Sequence, residues 1–106
     1  MLINKSKYSV GDIVSVRLST GEEVVGKVAE TTDEKLTLER PRQVQYVPTS
    51  NGITLLPYIF SVDPDKTLEF NMAHVIVVTE TMKEMTDHYI QVTTGITTVT
   101  KGKLAL

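Results

Sequence analysis

Apolar residues alternate with polar ones along three consecutive short runs between Val14 and Glu39, and this alternation constrains the fold more than any other feature. Side chains that alternate in this way point to opposite faces of a β-strand, so each run predicts a strand with one buried face. Short polar turns separate the runs, which is typical of consecutive antiparallel strands. The apolar positions are Val14, Val16, Leu18, Val24, Val28, Leu36 and Leu38. The sequence therefore predicts an all-β fold that begins with a meander.

Two glycines, Gly21 and Gly26, interrupt these runs and predict where the strands turn and bend. Gly21 follows Ser19 and Thr20, which together form a tight-turn signal between the first two strands. Gly26 lies inside the second run, where a missing side chain indicates a bulge or a sharp bend. We therefore expect the meander to curl.

The residues after Glu39 predict a long hairpin. Extended runs at 43–47 and 53–62 flank a polar segment that ends in Asn51-Gly52, a strong hairpin signal. Pro57 lies within the returning run and indicates an edge or a bulge, because proline donates no backbone hydrogen bond. At this level, residues 53–62 and 67–71 form either one interrupted strand or two separate strands.

A helix is predicted from about Thr81 to about Thr93. Thr81-Met-Lys-Glu84 has the spacing of a capping box, and Gly95 is placed as a helix stop. Apolar residues recur at intervals of three and four, at Met82, Met85, Tyr89 and Val92. Covering an open end of the barrel is the simpler role for this helix, and contact with a partner or a ring face is the alternative. Residues 95–106 are left as a tail.

The meander resembles the first sequence motif of the Sm and Sm-like (LSm) RNA-associated proteins. The matching positions are Val14, Val16, Leu18, Gly21, Val24, Gly26, Val28, Asp33, Leu36 and Leu38. The second Sm motif would fall on residues 68–78, and its end, His74-Val-Ile-Val-Val78, is similar to the last strand of the Hfq-like riboregulators of bacteria. The short amino terminus and long central hairpin look more like the divergent Sm-like proteins carried by tailed phages.

The resemblance implies a small, strongly bent, five-stranded antiparallel barrel of SH3-like or Sm-like type over about 10–79, within a single domain of residues 1–106. The predicted C-terminal helix departs from the family, whose usual helix is amino-terminal. In the Sm family the fourth strand of one subunit adds to the fifth strand of the next. It thus implies a homo-oligomeric ring of about five to seven subunits. The residues expected at this interface are Phe70, Val75, Ile76, Val77 and Val78. The alternative is that the helix covers this apolar strand in a monomer.

In the Sm family the RNA site lies on loops near the ring pore. This chain matches the residues of that site only in part. Asp33 matches the family's aspartate, Lys35 stands nearest to its asparagine, and Asn71-Met-Ala-His74 replaces the basic pair of the second motif. The residues expected to contact RNA are Asp33, Lys35, Asn71, Met72 and His74, with Arg40 and Arg42 as a further basic cluster. The simpler interpretations are a solvated Lys35, an interface His74 and arginines that only solvate the surface.

Charge and composition restrict the function further. The chain has 11 basic and 13 acidic residues, a net charge of −2, which is not typical of proteins that hold nucleic acid mainly through its phosphates. The absence of cysteine excludes disulfides and cysteine-ligated zinc and fits a cytoplasmic protein. Neither a nucleophile elbow, a phosphate-binding glycine loop nor a metal-ligand motif is present, so we expect no catalytic residues, cofactor or metal.

The resemblance therefore implies a non-catalytic, ring-forming protein with an RNA-binding or RNA-chaperone-like role. A ring-forming protein-interaction or architectural module is the alternative, since it would use the same barrel without RNA. We expect no membrane association, because no apolar run has the length of a bilayer span.

Overall fold

The chain forms a strand-rich domain with one helix near its C-terminus. The computed structural model describes residues 8–50 and 52–95. Its strands are β1 (Ile13–Leu18), β2 (Glu23–Thr31), β3 (Lys35–Val47), β4 (Gly52–Pro57), β5 (Leu68–Asn71) and β6 (Val75–Glu80), and its helix is α1 (Lys83–Thr94). A 3-10 turn, Met72–His74, joins β5 to β6. The predicted tail at 96–106 and Asn51 of the predicted hairpin turn lie outside the described residues.

All six strands belong to one antiparallel sheet. Its order is β4-β3-β2-β1-β6, and β5 pairs with β3 beside β4. The observed meander β1-β2-β3 confirms the prediction made from the alternating pattern. The prediction of a five-stranded closed barrel is wrong in two respects: the described residues form six strands, and among them β5 and β6 do not pair with each other, so the sheet does not close into a barrel.

The bend predicted at Gly26 is confirmed by a break in the pairing of β2 with β3. Val25 pairs with Arg42 and Lys27 pairs with Glu39, so that two residues of β3 lie opposite Gly26 alone. Such an excess residue bends the bulged strand. One of the two, Arg40, has a φ of 48°, and a Cβ added to Gly26 would lie only 3.0 Å from the Leu38 Cβ. Glycine at this position therefore permits the close approach of β2 to the bent β3.

Because β3 bends, its two halves pair with different strands. Residues 35–38 pair with β5, and residues 42–47 pair with β4. The predicted strand 53–62 ends at Pro57, and a loop then leads to β5. The alternative left open in the sequence is thus decided in favour of two separate strands.

The two faces of the sheet carry two apolar cores. The inner core contains the alternating valines and leucines of the meander together with Phe70: Val14, Val16, Leu18, Val24, Val28, Leu36, Leu38 and Phe70. The outer core joins the helix to the sheet through Val25, Leu55, Met85 and Tyr89. The Tyr89 hydroxyl donates to the Glu39 carbonyl oxygen at 2.7 Å, and burial raises the pKa of Tyr89 to about 12.

The position and the start of α1 both differ from the prediction. The helix packs on the outer face of β2 and β4, so it neither plugs an end of the barrel nor covers β6. Thr81 does not cap it: the cap residue is Met82, without a side-chain bond, while the Thr81 hydroxyl is 2.8 Å from the Ser15 hydroxyl. Gly95 ends the helix in a left-handed conformation, as predicted. Along the described chain, no helix is long and apolar enough to span a bilayer.

Replacing Gly26 by alanine is expected to lower the free energy of unfolding by about 1–3 kcal/mol, because the new Cβ overlaps the Leu38 side chain. Urea unfolding followed by circular dichroism measures the effect. The control is Glu30→Ala in the same strand, where the side chain is exposed and the change should stay within about 0.5 kcal/mol. Equal stabilities of the two variants would contradict the close approach.

Candidate functional site

The two sequence motifs meet on one face of the β3–β5 pair. Lys35 lies directly opposite Asn71, and Thr37 lies opposite Glu69. Since alternate residues of a strand share a face, these four side chains point away from the inner core, whereas the intervening leucines and Phe70 point into it. We call the surface formed by Lys35, Glu69 and Asn71 the β3–β5 face.

Hydrogen bonds hold the turns beside this face. The Thr32 hydroxyl oxygen accepts from the backbone N–H groups of Glu34 and Lys35, at 3.1 and 3.0 Å, which fixes the β2–β3 turn. The Met72 N–H donates to the Glu34 carbonyl oxygen at 2.9 Å and ties this turn to the β5–β6 connection. The structure thus brings together Lys35 and Asn71, two of the residues expected to contact RNA, and Asp33 lies on the adjoining turn.

The side-chain oxygen of Asn71 has a structural role, and its Nδ2 amide group is a candidate for ligand contact. Its Oδ1 accepts from the Ala73 N–H at 2.9 Å and so caps the 3-10 turn. That contact uses the amide oxygen of an exposed side chain, whose Nδ2 carries two further N–H donors. A cleft of about 430 Å³ opens here, lined by Glu34, Lys35, Glu69, Phe70 and Asn71. An amide and three charged side chains line this cleft, so a ligand there would be held mainly by hydrogen bonds.

The charge around the β3–β5 face is predominantly acidic. Lys35 Nζ lies 3.5 Å from Glu69 Oε1, and the two side chains are 55% and 61% exposed. Asp33 and Glu34 are exposed on the adjoining turn. Glu69 was not among the residues predicted from sequence, because its closeness to Lys35 follows from the pairing of β5 with β3. Two carboxylates, those of Glu34 and Glu69, line the cleft with the single ammonium group of Lys35, so the cleft is a poor site for phosphate.

Met72 does not join this face, and His74 meets it only at a second cleft. Met72 packs its side chain against the inner core. His74 is exposed on the other side of the connection, where its Nδ1 lies 3.3 Å from the Ser19 hydroxyl and its carbonyl oxygen accepts from the Ser19 N–H at 2.8 Å. A second cleft of about 410 Å³ lies there, and Glu69, Asn71 and His74 are among the residues that line it. Asn71 thus lines both clefts, whereas Lys35 lines only the first and His74 only the second.

The two arginines have different surroundings from those expected. Arg42 is only 5% exposed, and its guanidinium donates to the Pro64 carbonyl oxygen and pairs with Asp65 at 3.3 Å. It holds the loop before β5, so it is not part of an accessible basic cluster. Arg40 pairs with Glu39 at 3.8 Å. No local sequence signal indicated the Arg42 contact, because its partners lie in a distant turn.

The residues expected at the subunit interface are also divided. Phe70 is 7% exposed and packs against the Tyr58 ring at a centroid distance of 5.4 Å, so its side chain belongs to the inner core. Val75 and Val78 pack against the same core. Ile76 and Val77 are 63% and 48% exposed, and the pairing of β6 with β1 shifts register beside them. Two of the five side chains therefore point outward from an edge strand.

Comparison with known proteins adds no assignment. No model of a known protein family matches the chain, and no curated protein matches it. Over residues 8–50 and 52–95, no group of three or more histidine, aspartate or glutamate residues is arranged to hold a metal ion.

Replacing Arg42 by alanine is expected to lower the free energy of unfolding by about 1–3 kcal/mol, since it removes a buried side chain and its charge-assisted hydrogen bonds. The matched control is Arg40→Ala, which removes only a partly exposed pair and should change stability by about 0.5 kcal/mol or less. Urea midpoints of the two variants test this assignment, and equal destabilisation would contradict it.

Proposed function

We propose that the protein is a Sm-like module that assembles into a homo-oligomeric ring and binds single-stranded RNA without catalysing a reaction. The observation that supports it most is the meeting of the two motifs. The turn that carries Asp33 and Lys35 is bonded to the turn that carries Asn71, as expected for the loops that form the RNA site in the Sm family. The proposed place of action is the cytoplasm.

The sheet edges support self-assembly. The outer edges of β5 and β6 have no strand partner within the described residues, and β6 exposes Ile76 and Val77. An unpaired apolar edge is a template for another strand. Pairing of β5 from one copy with β6 of the next would cover both edges by a heterologous contact, which closes into a ring when the rotation divides a full turn.

The chemistry of the β3–β5 face favours recognition of bases. The Asn71 amide can donate to a carbonyl or ring nitrogen of an unpaired base, and such contacts are repeated in every subunit of a ring. Phosphates gain little there, because Lys35 is already paired with Glu69. Binding through bases is consistent with the net charge of −2.

A protein partner is the second candidate, and an exposed apolar loop favours it. Ile59 is 41% exposed and Phe60 is 78% exposed, directly after β4. Exposed aromatic side chains are enriched at protein interfaces, and the carboxylates of the β3–β5 face would suit a basic protein better than RNA. Under this alternative the same ring is an architectural module.

Replacing Asn71 by serine tests RNA binding. Serine keeps an oxygen that caps the 3-10 turn but removes the amide donors, so we expect affinity for short uridine-rich or adenine-rich RNA to fall about three- to tenfold. Filter binding measures the effect, and Lys83→Ala on the exposed surface of α1 should leave affinity unchanged. If the wild-type protein binds neither RNA at micromolar concentration, the protein-interaction module replaces the RNA-binding proposal.

Replacing Val77 by lysine tests assembly. The unmodified chain should form a species several times 11.8 kDa, and the lysine should reduce it to the monomer while the thermal melt is retained, since the residue faces outward. Light scattering behind a sizing column measures the mass. Val92→Lys is the control, because Val92 is similarly exposed at 41% but lies on α1. A wild-type protein that stays monomeric when concentrated would contradict the ring.

A further inference from the structure

Glu69 lies beside the one cation among the residues that line the β3–β5 cleft. Lys35 and Glu69 are diagonal neighbours across the β3–β5 ladder, since Lys35 lies opposite Asn71 and Glu69 lies opposite Thr37. The ladder therefore fixes both Cα positions on the same face, and the charged groups meet at 3.5 Å. Their proximity is a consequence of strand register and does not depend on a flexible loop.

We infer that Glu69 is a specificity-determining residue that keeps Lys35 from RNA phosphates, so that the β3–β5 face selects unpaired bases. The inference rests on the proposed RNA-binding function and adds a discrimination within it. A lysine that binds a phosphate releases a condensed counterion, and each such contact on single-stranded nucleic acid steepens the dependence of log affinity on log salt by about 0.7. A lysine held by a carboxylate must first lose that partner.

The charges around Lys35 also disfavour phosphate binding. Glu34 lines the same cleft and Asp33 is exposed on the same turn, so a phosphate in the cleft would face two carboxylates and one ammonium group. Asn71, whose side-chain amide is uncharged, lies directly opposite Lys35 and remains able to donate to a base. The ligand class that fits is an unstructured single strand whose base edges are free, and a duplex with paired edges is disfavoured.

Four variants test this inference: Glu69→Gln, Lys35→Ala, the combination of both, and the control Glu34→Gln. Fluorescence anisotropy with a short labelled uridine-rich RNA gives the affinity of each at several salt concentrations, and thermal melts confirm folding. Glu69→Gln should bind about two- to fivefold more tightly at low salt and steepen the salt slope by about 0.7 per contacted subunit.

The other variants identify the cause. Lys35→Ala alone should stay within about twofold of wild type, and the combined variant should lose the gain of Glu69→Gln. Glu34→Gln removes the same charge without releasing an ion pair with Lys35, so its salt slope should equal that of wild type.

Several results would overturn the inference. If RNA binds and Glu69→Gln leaves the slope unchanged, the role of Glu69 is wrong while RNA binding stands. The same holds if Lys35→Ala flattens the wild-type slope, since Lys35 would then already contact phosphate. A gain retained in the combined variant would show that Glu69 acts only through its own charge. If the wild-type protein binds no RNA, the inference and the proposed function are both wrong.

Discussion

The close approach of Gly26 to Leu38 is the constraint on which the rest of the structure depends. Opposite Gly26, β3 carries an extra residue and bends, and a side chain at position 26 would overlap Leu38. The bend lets a single strand pair with β5 through its first half and with β4 through its second half. The inner core and the helix-covered outer core follow from this division, because each lies on a different face of the same curved sheet.

The candidate site is a second consequence of the bend. The first half of β3 turns toward β5, and this register places Lys35 opposite Asn71 and diagonal to Glu69. The bond from Met72 to Glu34 then fixes the two turns together. The same arrangement leaves β5 and β6 at the borders of the open sheet, so the proposed RNA contacts and the proposed subunit contacts lie on neighbouring strands.

Local patterns in the sequence predicted the elements, whereas their long-range contacts required the structure. The alternation of Val14, Val16 and Leu18 predicts a buried strand face without any knowledge of distant contacts. Gly26 predicts a bend because it lacks a side chain, which is also visible in the sequence alone. The continuity of β3 was not predictable, since Pro41 and a residue with positive φ interrupt its pattern. Thr81 fitted a capping box, but its hydroxyl contacts Ser15 instead.

The site residues show the same limit. Lys35 and Asn71 were found from motif positions, and the structure brings them together. The Lys35–Glu69 pair and the burial of Arg42 against residues 64 and 65 depend on strand register and loop path, which no short segment encodes. The charge of the β3–β5 face, on which the proposed preference for bases rests, therefore became apparent only with the fold.

Amide hydrogen exchange along β6 tests whether another copy of the chain completes the open sheet. If it does, the β6 amides not bonded to β1 should exchange slowly in concentrated protein and lose this protection on dilution, while amides of the interior strand β2 stay protected throughout. Rapid exchange of those β6 amides at every concentration would show that the edge is never paired and would contradict assembly through this edge.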